Sequence, residues 1–83
     1  MYELYLESRA EKDLRRLNAI DFKRIIRRIK ILALDPRPKG CCKLVDSEND
    51  WRIRIGNYRV IYEIDEKVKE VRIMRVRHRR EVY

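Results

Sequence analysis

The sequence predicts an α+β fold: an N-terminal strand, a two-helix hairpin, then an antiparallel meander of about four strands. Three observations carry it. Apolar residues recur with a helical period from Ala10 to about Leu34, the run Asp35-Pro-Arg-Pro-Lys-Gly40 breaks that period, and from Lys43 onward the period is two. At 83 residues the chain is read as a single domain over 1–83. A chain this short buries only about 60% of the surface its unfolded form exposes. That excludes a dinucleotide-binding fold, a barrel enzyme or a multidomain machine.

Residues 2–7, Tyr-Glu-Leu-Tyr-Leu-Glu, alternate in the manner of a strand with one buried face. Ser8-Arg-Ala-Glu11 has the form of a capping box, and Ala10, Leu14 and Leu17 then share one face of a short helix. Asn18 is placed to stop that helix and cap the next. The second helix, about Ala19 to Leu34, puts Phe22, Ile25, Ile26, Ile29, Leu32 and Ala33 on an apolar stripe. Lys23, Arg24, Arg27, Arg28 and Lys30 take the remaining surface, which reads as a solvated face. Proline at 36 and 38 forbids continuation. Lys43-Leu-Val begins the strands. Trp51–Ile55, Tyr58–Ile64 and Glu70–Val76 supply three more, with Gly56-Asn57 a two-residue hairpin signal and a second turn over Asp65–Lys69.

The adjacent cysteines Cys41 and Cys42 are a poor geometry for a disulfide and read as two thiols. With His78 as the one histidine, no metal site is expected. No apolar run is long enough to span a bilayer, and no leader precedes the first strand, so the expected location is the cytoplasm, without a membrane partner.

The charge is uneven. Lys+Arg total 22 against 14 Asp+Glu, net +8, and residues 51–83 hold 10 of the basic residues against 5 acidic ones. A Gly56-Asn57 loop sets Arg54 opposite Arg59, with Arg52 beside them, and sorts Trp51, Ile53, Ile55, Tyr58, Val60, Tyr62 and Ile64 onto the other face. Unbroken alternation in the last strand adds Val71 and Ile73 to the apolar face. It adds Arg72, Met74, Val76 and His78 to the arginine face. Like charges across a ladder oppose stability, so an anionic ligand is the expected compensation. Each guanidinium offers a permanently charged planar fork suited to phosphate. The closing run Arg75-Val-Arg-His-Arg-Arg-Glu-Val-Tyr83 brings Arg77, His78, Arg79 and Tyr83 to the same end of the sheet. Metal-independent RNA cleavage needs a base for the 2′-OH, cations around phosphorus and an acid for the leaving 5′ oxygen.

The segment Trp51-Arg-Ile-Arg-Ile-Gly-Asn-Tyr-Arg-Val-Ile-Tyr-Glu-Ile, with the ending Arg77-His-Arg-Arg-Glu-Val-Tyr83, resembles the RelE/ParE superfamily of toxin–antitoxin toxins. The likeness extends over the whole chain and implies a RelE-like, microbial-RNase-like fold. RelE-like activity implies a ribosome-dependent mRNA endoribonuclease that cleaves A-site mRNA and inhibits translation. It implies no cofactor, and an acidic RelB-like antitoxin in a heterotetramer. By this resemblance Arg59, Arg79 and Tyr83 are catalytic candidates and Arg52, Arg54 and Arg77 hold substrate, while His78, set among arginines at a strand end, is a catalytic candidate on its own chemistry. Arg79 matches the family's C-terminal arginine, with alignment through Arg77 as the alternative. RelE proper often has lysines where Arg52 and Arg54 stand. Arginine cannot serve as a base, so His78, Glu63 and Tyr83 are the replacements to test. The alternative within the superfamily is a ParE-like inhibitor of DNA gyrase, a binding toxin without catalysis.

Overall fold

The computed structural model describes residues 1–45 and 47–82, excluding the side chains of 81 and 82. In chain order the elements are β1 (Glu3–Leu6), α1 (Ser8–Arg15), α2 (Ala19–Leu32), β2 (Cys42–Lys43), β3 (Asp50–Ile55), β4 (Tyr58–Asp65), β5 (Glu70–His78) and α3 (Arg79–Val82). The five strands form one sheet ordered β1-β5-β4-β3-β2, with β1 parallel to β5 and the other pairs antiparallel.

The apolar faces meet as the periodicities require. Ala10 and Leu14 from α1 and Ile25, Ile29 and Leu32 from α2 are buried against Ile53, Ile55, Val60, Tyr62, Ile64, Val71 and Ile73. The buried Tyr62 hydroxyl donates to the Pro36 carbonyl at 2.7 Å, which ties the proline-rich connection to the sheet. Burial, with Cys41 nearby, raises the Tyr62 pKa well above its ordinary value.

Two local expectations fail. Ser8 and Glu11 form no capping box: Glu7 is the N-cap and makes no side-chain cap. Its amide donates instead to the Ile73 carbonyl at 2.9 Å, so the ladder runs one residue further and Ser8 enters the helix proper. Asn18 caps α2 as expected, its side chain accepting from the Asp21 amide at 2.8 Å.

The second failure concerns β5. Tyr62 pairs with Ile73 but its neighbour Ile61 pairs with Arg75, leaving Met74 as an extra residue. A bulge of one residue reverses the facing of everything after it. Val76, expected among the arginines, therefore lies opposite Val60 and is buried in the core. His78 lies opposite Tyr58 on that same apolar side.

Candidate active site

The face of the sheet opposite α1 and α2 carries the basic cluster. The β3–β4 hairpin turns on Gly56, whose φ of +60° suits the first central position of a type II′ turn, a conformation that costs glycine little. The tight loop fixes the register: Arg54 faces Arg59. The bulge at Met74 then brings Arg77 opposite Arg59 from the other side. Arg54, Arg59 and Arg77 thus form one row across three adjacent strands, spanning about 10 Å at the usual strand spacing. Arg52 lies two residues along β3, about 7 Å from Arg54.

Arg59, at the centre, is 3% exposed. Its Nη1 donates to the Tyr58 carbonyl at 3.3 Å. At this corner α3 packs against β4 and β5. The Arg79 amide donates to the Asn57 carbonyl at 2.7 Å, fastening the C-terminal segment to the hairpin that carries Arg59.

Sequence alternation and the structure disagree on two site residues. Arg77, not Arg79, takes the register position beside Arg59; Arg79 begins α3 and is exposed. His78 is on the opposite face, its ring edge-on to Tyr58 with centroids 5.2 Å apart. Its Nδ1 accepts from the Arg80 amide at 3.2 Å, which steadies the start of α3. Glu63 does share the arginine face, but it pairs with Arg72 and Asp50, four residues along β4 from Arg59, or about 13 Å. Tyr83 lies outside the described residues.

A second charged cluster closes the free edge of β5. Arg75 Nε donates to Asp13 Oδ2 at 2.9 Å and its Nη2 to Oδ1 at 3.3 Å, while the Val76 amide donates to Oδ2 at 2.9 Å. Burial of Asp13 opposes ionisation, but the bonds from Arg75 and Val76 outweigh it and hold the carboxyl below its ordinary value. Arg72 is engaged by Glu70 at 2.9 Å and Glu7 at 3.4 Å. Arg72 and Arg75 are thus structural clamps between elements.

The family model of the ParE toxin of the type II toxin–antitoxin system parDE matches residues 4–83. The chain belongs to the ParE toxin family. It lies within the RelE/ParE superfamily and is a toxin of a type II toxin–antitoxin system. The toxin is also similar to an archaeal RelE–RelB complex from Pyrococcus horikoshii, at 28% identity over 94% of each chain and a TM-score of 0.84. A RelB–RelE antitoxin–toxin complex from Methanococcus jannaschii matches at 25% identity, covering 95% of this chain and 94% of that one, with a TM-score of 0.79. The isolated RelE toxin of E. coli shares the fold at 21% identity, over 94% of this toxin and 84% of that one, with a TM-score of 0.82. No curated protein matches the toxin at significance. Among the described residues, no helix is long and apolar enough to cross a membrane.

Proposed function

We propose that this toxin is a ribosome-dependent endoribonuclease that cleaves A-site mRNA without a metal and thereby inhibits translation. The observation that carries the reading is the Arg54–Arg59–Arg77 row, with Arg52 alongside, on the sheet face opposite α1 and α2. In the reaction the 2′-OH loses its proton, its oxygen bonds to the neighbouring phosphorus, and the bond to the 5′ oxygen breaks as that oxygen takes a proton. Negative charge builds on the phosphoryl oxygens. Fixed guanidiniums facing them lower the barrier without reorganising. Arg59 is the central donor, Arg54 and Arg77 flank it, and Arg52 holds substrate beside them. The arginines supply no base. With His78 on the far face and Glu63 remote, Tyr83 is the sequence candidate left for proton transfer or for stacking on the base.

The partner proposed is an acidic RelB-like antitoxin, supported by the RelE–RelB complexes among the similar structures. A groove between β1 and the helices, lined by Leu6, Leu14, Phe22 and Ile26, offers such a segment apolar surface.

Expression without antitoxin should arrest translation and leave codon-phased 5′ ends in translated mRNA, read by primer extension. Arg59→Ala should lower the cleavage rate by about 10²–10³, the usual loss for one preorganised donor to a developing oxyanion. Cutting at the wild-type rate would remove Arg59 from the mechanism. The ParE family match favours a second reading, gyrase inhibition. Gyrase-dependent DNA breaks with intact mRNA would select it.

A further inference from the structure

β2 pairs with Trp51 and Arg52, so among the described residues no strand pairs with the edge of β3 from Ile53 to Ile55. Alongside it runs a groove of ≈ 280 Å³ lined by Arg28 of α2, by Lys39, Gly40 and Cys42, and by Arg52 and Arg54. Ile53 forms its floor. Four cations therefore line one cavity and, among the described residues, no carboxylate does. Among the described residues, none of the four side chains makes an ion pair or hydrogen bond. Outside the groove, Arg24, Arg37, Arg72 and Arg75 each have a carboxylate partner. Gly40, at φ +94°, has nothing within 4 Å of where a Cβ would stand, so the groove is unobstructed on that side.

Of the four cations, Arg54 belongs to the arginine row and Arg52 stands beside it. The groove is thus continuous with the proposed cleavage site around the edge of β3. We propose that it is a backbone subsite for RNA, holding a phosphodiester next to the scissile one, with Arg28 and Lys39 contacting that non-reacting phosphate. The proposal deepens the endoribonuclease reading and rests on it for the identity of the strand. A phosphate backbone accounts for the cations at Arg28, Lys39, Arg52 and Arg54, which have no ion-pair partner among the described residues. The polar lining, with one isoleucine, suits a sugar–phosphate backbone better than the apolar side chains of a folded protein segment.

The test compares two double variants of equal charge. Arg28→Ala/Lys39→Ala empties the groove; Lys23→Ala/Arg27→Ala removes two cations from the same helix outside it. Both keep Arg52, Arg54, Arg59 and Arg77. Binding of a short single-stranded RNA, made uncleavable by 2′-O-methylation, is measured against salt for the complete chain. Each phosphate neutralised on a single strand contributes about 0.7 to the slope of log K against log salt. The groove variant should lower that slope by about 0.7, with at least tenfold weaker binding at low salt, and the control should leave the slope unchanged. Equal losses in both variants, no loss in the groove variant, or no RNA binding by the wild type would each overturn the subsite. So would a groove variant that loses affinity for oligoglutamate while keeping its affinity for RNA. Circular dichroism identifies a variant that has merely unfolded, and Arg28→Gln/Lys39→Gln then replaces it under the same criteria. Failure of the cleavage reading is separate: absent mRNA cuts with wild-type toxin sink that reading, whereas wild-type binding with an unaltered slope sinks only the groove.

Discussion

Arg54 faces Arg59, which faces Arg77, so three arginines stand abreast on adjacent strands. Like charges directly opposite on a sheet cost roughly 0.2–1 kcal/mol per pair, a strain characteristic of sites held ready for a charged ligand. Replacing an outer member with an uncharged residue should therefore stabilise the protein. Arg54→Leu is expected to raise the urea midpoint by an amount equivalent to about 0.5 kcal/mol while reducing RNA cleavage. Loss of both stability and cleavage would mean that Arg54 is mainly a structural residue. His78 is the converse case. It is set against Tyr58, away from the row, and its removal should spare the chemistry. A lost general base costs about 10²–10⁴ in rate; His78→Gln is expected to retain cleavage within about tenfold, with the pH–rate profile keeping its shape. A loss of about 100-fold or more, or a pH–rate profile of altered shape, would return His78 to the mechanism.

Helices, strands and the tight hairpin were legible because each rests on local chemistry that repeats along the chain. Asn18 capping α2, the prolines ending it and Gly56 turning the hairpin all act within a few residues of themselves. The bulge was not legible. Met74 is as apolar as its neighbours, and nothing in Glu70–His78 marks where alternation skips. The skip is decided by β4, since only the pairing Tyr62 to Ile73 and Ile61 to Arg75 buries Val76 while leaving Arg75 to meet Asp13. That single residue exchanged His78 for Arg77 at the site. The groove was missed for a similar reason: Arg28 and Lys39 are distant in sequence from Arg52, and a basic helix face reads as solvated until the β3 edge is seen beside it. The bulge yields opposite expectations for two neighbours. Val76→Thr buries a hydroxyl in the core and should cost about 1–3 kcal/mol by denaturant unfolding. Met74→Thr, on the half-buried bulge, should cost under about 1 kcal/mol. A reversed order would restore simple alternation and return Val76 to the arginine face.

For the molecule as a whole, the weak place is the free edge of β5 beyond the end of β1, where the helical layer must be joined to the sheet. Asp13 makes that join. It accepts two bonds from Arg75 and one from the Val76 amide, linking α1 to a strand more than 60 residues later in the chain. These bonds hold its folded-state pKa below the ordinary value despite burial. A carboxyl with a depressed folded pKa stabilises the native state above its unfolded pKa, about 3.9, and the contribution disappears as pH falls through the folded value. Asp13→Asn should therefore lower stability at pH 7 by about 1–3 kcal/mol, in keeping with the loss of charge-assisted hydrogen bonds. The gap between wild type and variant should close as the pH is brought below about 4. Glu66, whose pKa is also lowered, titrates in both proteins and cancels from the difference. Urea unfolding of both proteins from pH 7 down to pH 2.5 measures that gap directly. A gap independent of pH would show that the carboxylate's charge does not fasten α1 to β5, leaving the apolar contacts of Ala10 and Leu14 to hold the two layers together.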